Sequence, residues 1–76
     1  MMDKIEWQQG RGCEFAETPV GRFTIRPVMS RAGVYTKWNV WGPSAMGGPE
    51  AVATSLDAAR EVAERRIWEA IKRRRA

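Results

Sequence analysis

VYTKWNVWGP, residues 34–43, alternates like a β-strand yet carries aromatic residues on both parities. Val34, Thr36, Trp38 and Val40 share one side; Tyr35, Lys37, Asn39 and Trp41 share the other. The preceding RFTIR segment, Arg22 to Arg26, is simpler, with Phe23 and Ile25 set against Arg22, Thr24 and Arg26. Lys37 and Asn39 are the residues least suited to burial. The two strands together therefore predict Trp38 and Val40 inward with Phe23 and Ile25. Tyr35 and Trp41 are then expected outward, among Arg22, Arg26 and Lys37.

Working outward, KIEWQ (Lys4 to Gln8) reads as a half-buried strand with Ile5 and Trp7 inward, followed by a glycine-rich turn, QGRG. CEFAE (Cys13 to Glu17) reads as a second strand with Cys13 and Phe15 inward, which leaves Glu6 and Glu14 outward to pair with Arg22 and Arg26. TPVG (Thr18 to Gly21) is a turn, because Pro19 presets φ and Gly21 tolerates positive φ. Pro27 is expected to close the RFTIR strand, and SRAG (Ser30 to Gly33) to turn the chain into residues 34–41.

GPSAMGGP (Gly42 to Pro49) reads as a mobile loop, and AVAT (Ala51 to Thr54) as either a short edge strand or the end of that loop. Thr54 with Asp57 three residues on resembles a capping box. Leu56, Ala59, Ala63, Ile67, Ala70 and Ile71 then form one stripe at helical spacing. The expected architecture is a single α+β domain over residues 1–76. It has an antiparallel three- or four-stranded meander over about residues 4–41 and one C-terminal amphipathic helix over about 55–75, packed on one sheet face. The expected core is Ile5, Trp7, Phe15, Phe23, Ile25, Trp38, Val40, Leu56, Ala59, Ala63, Ile67 and Ile71.

Seventy-six residues make one small domain, which buries only about 60% of its unfolded surface. Large apolar residues are therefore needed first for stability. The single cysteine excludes an intramolecular disulfide and fits a reducing, cytoplasmic setting. No run approaches the ~20 apolar residues of a membrane helix, and no signal-peptide pattern is present. There is no histidine, Cys13 has no partner for a metal site, and the glycines match no phosphate-cradling pattern. Cys13 itself reads as an inert buried thiol. Glu61–Arg65, Arg65–Glu69 and Glu69–Arg73 have the spacing of ordinary helix-surface ion pairs. The expected function is non-enzymatic binding, with no cofactor and no metal.

The net charge of +4 is concentrated late in the chain, in Lys72, Arg73, Arg74 and Arg75. Such a run offsets the negative end of a helix dipole or reaches phosphates. The outward face has two readings as well. Tyr35 and Trp41 stack on neighbouring Arg stems as a structural surface, or they form a binding face with Arg22, Arg26 and Lys37. Trp68, about 100° from the centre of the apolar stripe, covers the sheet edge, fills a homodimer contact or anchors a partner. The candidate binding residues are Arg22, Arg26, Tyr35, Lys37, Trp41, Trp68, Lys72, Arg73 and Arg74.

The order Ile-x-Trp, AETPVGRFTI, a Trp-bearing strand and SLDAAREVAERRI resembles short uncharacterised proteins of phages and prophages. In those an A-x-T-P-x-G-x-[YF]-x-I hairpin precedes an S-L-x-x-A-x-x-x-A helix. The resemblance spans Lys4 to Ile67 and its motifs are structural. Phage chains of this kind also look like anti-CRISPR inhibitors, which implies a host protein or nucleoprotein complex as partner and a steric block as mechanism. The element order is similar to the three-strand-plus-helix DNA-binding domains of integrase arms, akin to double-stranded-RNA-binding folds. That second resemblance implies duplex DNA on Arg22, Arg26, Tyr35 and Lys37.

Overall fold

The computed structural model describes residues 5–43 and 47–75, with the side chain of residue 75 left aside. Five strands and one helix follow in chain order: β1 (Gln8–Gly10), β2 (Cys13–Thr18), β3 (Gly21–Met29), β4 (Tyr35–Trp41), β5 (Ala51–Ala53) and α1 (Leu56–Arg75). The sheet is antiparallel throughout, in the order β1-β2-β3-β4-β5. The α+β class is as the sequence predicts, with five strands rather than three or four.

The additional strands are short. β1 begins at Gln8, where the KIEWQ reading ended, and Lys4 lies outside the described residues. Ile5 and Trp7 still pack against the core, and the Trp7 Nε1–H donates to Glu64 Oε2 on the helix at 2.8 Å. β5 takes the edge-strand alternative for residues 51–53, pairing Trp38 with Ala53 and Val40 with Ala51. Of the loop expected to be mobile, residues 44–46 lie outside the described residues. Its return is tied where the Glu50 N–H donates to the Val40 carbonyl at 2.8 Å.

The helix starts one residue later than its expected cap. Ser55, not Thr54, closes the N-terminus: its Oγ accepts from the Ala58 N–H at 3.1 Å and its carbonyl from the Ala59 N–H at 3.0 Å. Asp57 in the first turn faces the positive end of the helix dipole. Ala59, Ala63 and Ile67 are fully buried, and with Phe23, Ile25, Val40 and Ala53 they form the core. The two alanines let the helix axis approach the sheet where a longer side chain would hold it off.

Pro27 does not end β3; it pairs with Trp38 and the strand runs on to Met29. The last β3 residue with a β2 partner is Ile25, opposite Glu14. Beyond it β3 is an edge on that side, where a missing N–H is tolerated.

The largest departure from the sequence reading is the face of β2. Cys13 and Phe15 were expected inward, but Glu14 and Ala16 are the buried residues. Glu14 is 7% exposed and sits under the helix, where Arg60 grips it with two hydrogen bonds, Nε to Oε1 at 2.9 Å and Nη2 to Oε2 at 2.6 Å. Gln9 Nε2 adds a third at 2.9 Å. A carboxylate with three donors meets the condition for burying a charge. Glu14 therefore cannot pair outward with Arg22 or Arg26. Cys13 becomes a half-buried free thiol opposite Gly10, on the other face from the core.

The bond to Arg60 holds the Glu14 carboxyl below its ordinary pKa, against a desolvation that pushes it up; the Gln9 bond and the Arg60 charge act with the first cause. Glu14 in turn raises the pKa of Arg60. With the folded pKa depressed, the stabilisation is complete above the unfolded carboxylate value, about 4.3, and is lost as pH falls through the lower folded value. Thermal unfolding at a series of pH values should show a fall in Tm below about pH 4 that is smaller in Glu14→Gln. Arg60→Met should cost about 1–3 kcal/mol at neutral pH in urea unfolding, because it strands the carboxylate.

The TPVG turn forms as predicted, with Thr18 Oγ1 donating to the Gly21 carbonyl at 2.6 Å. Gly21 has φ of 118°, and a Cβ there would lie 2.6 Å from the Pro43 ring. Gly21→Ala is expected to destabilise by more than about 1 kcal/mol in urea unfolding, through backbone strain and collision together.

Candidate binding surface

The register fixes which side chains share the face away from the helix. Phe15, Thr24 and Trp41 lie in one row across β2, β3 and β4. Arg26, Asn39 and Val52 form the next, and Val28 with Lys37 the one beyond. The Arg22 guanidinium lies 4.8 Å from the Phe15 ring centroid and also pairs with Glu17. Arg22 thus acts as a cover for Phe15, and part of its charge is already answered.

Trp41 holds the predicted face but is only half-buried, and its Nε1–H is buried without an acceptor among the described residues. Tyr35 does not join it. The β3–β4 register shifts between Val28 and Met29, so that one extra residue, Thr36, enters β4. Such a bulge breaks strict alternation. The Tyr35 ring consequently lies beside Trp38, centroids 6.3 Å apart at an interplanar angle of 49°. Trp38 is on the core side, so the aromatic pair of the open face is Phe15 and Trp41.

The β3–β4 hairpin runs past the rest of the sheet. β2 pairing stops at Ile25 and β5 pairing stops at Trp38, so residues 26–37 form a two-stranded ribbon joined by a tight turn. The turn is closed by the Gly33 N–H donating to the Ser30 carbonyl at 3.0 Å and the Ser30 N–H to the Val34 carbonyl at 2.8 Å. Gly33 has φ of 80°, the left-handed residue of a three-residue hairpin loop. The molecule's longest extent is 46 Å, against about 30 Å for a 20-residue helix.

Every residue from Arg31 to Lys37 is exposed, including Val34 at 59% and Tyr35 at 53%, and Met29 beside them is 54% exposed. The ribbon carries Arg26, Arg31 and Lys37 and no carboxylate, a balance of +3. None of the three has an ion-pair partner among the described residues. Arg22, Arg60, Arg65, Arg66 and Arg73 all do, to Glu17, Glu14, Glu61, Glu50 and Glu69. Of the three pairs expected on the helix, Glu61–Arg65 and Glu69–Arg73 form, and Arg65 sits on Glu61 rather than Glu69.

The C-terminal candidates lie at the other end. Arg74 Nη1 donates to the Pro19 carbonyl at 2.6 Å, in the turn that opens β3, whereas the hairpin tip follows the strand's far end. The nine residues of β3 put about 26 Å between these ends. Lys72, Arg73 and Arg74 are exposed and do not merge with Arg26, Arg31 and Lys37 into one patch. Trp68 is half-buried and is not among the hydrophobics packed on the core cluster. The site residue missed in the sequence is Arg31, whose signal was its place near the middle of a run, residues 18–49, without acidic residues.

Among the described residues no group of three His, Cys, Asp or Glu side chains is arranged to hold a metal ion. No helix among them is long and apolar enough to cross a membrane. Comparison with protein-family models, with curated proteins and with solved structures gives no match.

The face assignment has a direct test in urea unfolding. Phe23→Ala should cost about 3–5 kcal/mol as a core truncation. Phe15→Ala, on the open face under Arg22, should cost less than half as much, and equal losses would contradict the assignment.

Proposed function

We propose that this protein is a non-enzymatic binding module that docks through the β3–β4 hairpin on a macromolecular partner of negative surface potential. In its most concrete form the partner is a host nucleoprotein complex and the effect is a steric block of the anti-CRISPR type, as the phage resemblance implies. One observation carries the reading: the hairpin projects from the body with three unpaired cations, no carboxylate and a compact turn at its tip. A rigid turn lowers the ordering cost of binding, and uncompensated cations favour encounter with an anionic surface. Exposed Tyr35, Val34 and Met29 supply apolar contact area beside those charges.

Arg22, Trp41 and the helix end contribute less to this reading than the sequence implied. Arg22 is engaged by Glu17 and Phe15, Trp41 is half-covered, and the helix-end cations are remote from the hairpin.

Heparin chromatography in a salt gradient tests the electrostatic part. R26E/R31E/K37E should elute at much lower salt than the wild type with an unchanged circular dichroism spectrum. K72E/R73E/R74E should stay closer to the wild type. Equal elution of the wild type and the hairpin variant would overturn the reading.

A further inference from the structure

The hairpin's shape narrows the class of its partner. We infer that residues 26–37 form a ribbon that enters the major groove of duplex DNA, with Arg26 and Lys37 toward the phosphates and Arg31 at the leading end. The inference rests on the proposed docking role of the hairpin and names the nucleic-acid component that it contacts.

Three features support it. The first is cross-section. Two paired strands lie about 4.8 Å apart and, with side chains on both faces, form a slab about 10 Å thick. The major groove of B-DNA is about 12 Å wide and admits a two-stranded ribbon, whereas the minor groove is about 6 Å wide. The second is reach. Arg26 to Met29 spans about 10 Å before the turn adds its own length, which exceeds the groove depth of about 8.5 Å. The tip therefore meets the groove floor before the sheet body meets the backbone.

The third feature is how the charges are distributed. Arg26 pairs with Asn39 and Val28 with Lys37, so the two cations lie on one ribbon face, on adjacent strands and two residues apart along the register. Arg31 lies inside the Ser30–Gly33 turn, at the far end from the body. Phosphates line the groove walls, and guanine presents its O6 and N7 acceptors on the floor. An acidic protein surface would satisfy the charges but would not require a projecting ribbon of this width and depth.

Fluorescence anisotropy tests the inference with a duplex of about 20 base pairs, two helical turns, over a salt series. Two phosphate contacts, from Arg26 and Lys37, predict a log–log slope of affinity against salt of about −2. Lys37→Ala should reduce its magnitude by about one, whereas Arg31→Ala should weaken binding with the slope little changed. The labelled single strand of the same sequence should bind more weakly. Methyl green, which occupies the major groove, should displace the protein, and netropsin, which occupies the minor groove, should not.

Equal or tighter binding to the single strand, displacement by netropsin alone, or absence of duplex binding would each overturn the inference. If duplex binding is absent while R26E/R31E/K37E still lowers heparin retention, the docking role stands and the partner is an acidic protein surface. If heparin retention is unchanged as well, both readings fall.

Discussion

The grip of Arg60 on Glu14 sets the geometry on which the rest of the structure depends. A carboxylate on a strand beneath a helix is costly unless its lone pairs are filled, and here Arg60 fills two positions and Gln9 a third. The pair ties the helix to β2, where the register sets buried Ala16 opposite Phe23. It also determines what the opposite face carries. With Glu14 and Ala16 inward, Phe15 has to point outward, and Arg22 covers it. An exposed-face cation is thereby committed to structure.

Charge is divided along the long axis. The hairpin residues 26–37 carry three cations, and residues 72–75 carry four; the remainder has six basic residues against nine acidic, a balance of −3. An acidic body with two basic poles orients differently in an external field from a chain that is uniformly basic at the same net charge. At the C-terminal pole, Arg73 pairs with Glu69 and Arg74 bonds the Pro19 carbonyl. At the hairpin pole nothing comparable holds Arg26, Arg31 or Lys37. The sum of +4 in the sequence conceals this difference.

Much of the frame was legible from residue pattern. Phe23, Ile25 and Val40 alternate cleanly against polar neighbours, the TPVG turn carries its own geometry, and Ala59, Ala63 and Ile67 recur at helical spacing. What escaped the pattern has definite physical causes. CEFAE carries its larger apolar residues, Cys13 and Phe15, on one parity, but long-range pairing sets Glu14 opposite Ile25 and Ala16 opposite Phe23, and Arg60 from the distant helix answers the buried carboxylate. Pro27 reads as a stop but lies where β3 has no second neighbour. Tyr35 was placed by parity, which a single inserted residue, Thr36, is enough to break. The hairpin's projection was hidden for a related reason: it follows from where β2 and β5 cease to pair, which no local stretch encodes.

In the proposed mode of docking, binding is localised on the projecting hairpin. Amide chemical shifts of the isotopically labelled protein, followed during titration with duplex DNA, test it residue by residue. The largest shifts should fall within residues 26–37, centred on the turn at Arg31, with the helix end and the Glu14–Arg60 region almost still. Shifts concentrated at Lys72, Arg73 and Arg74, or spread evenly over the open face around Phe15 and Trp41, would contradict it.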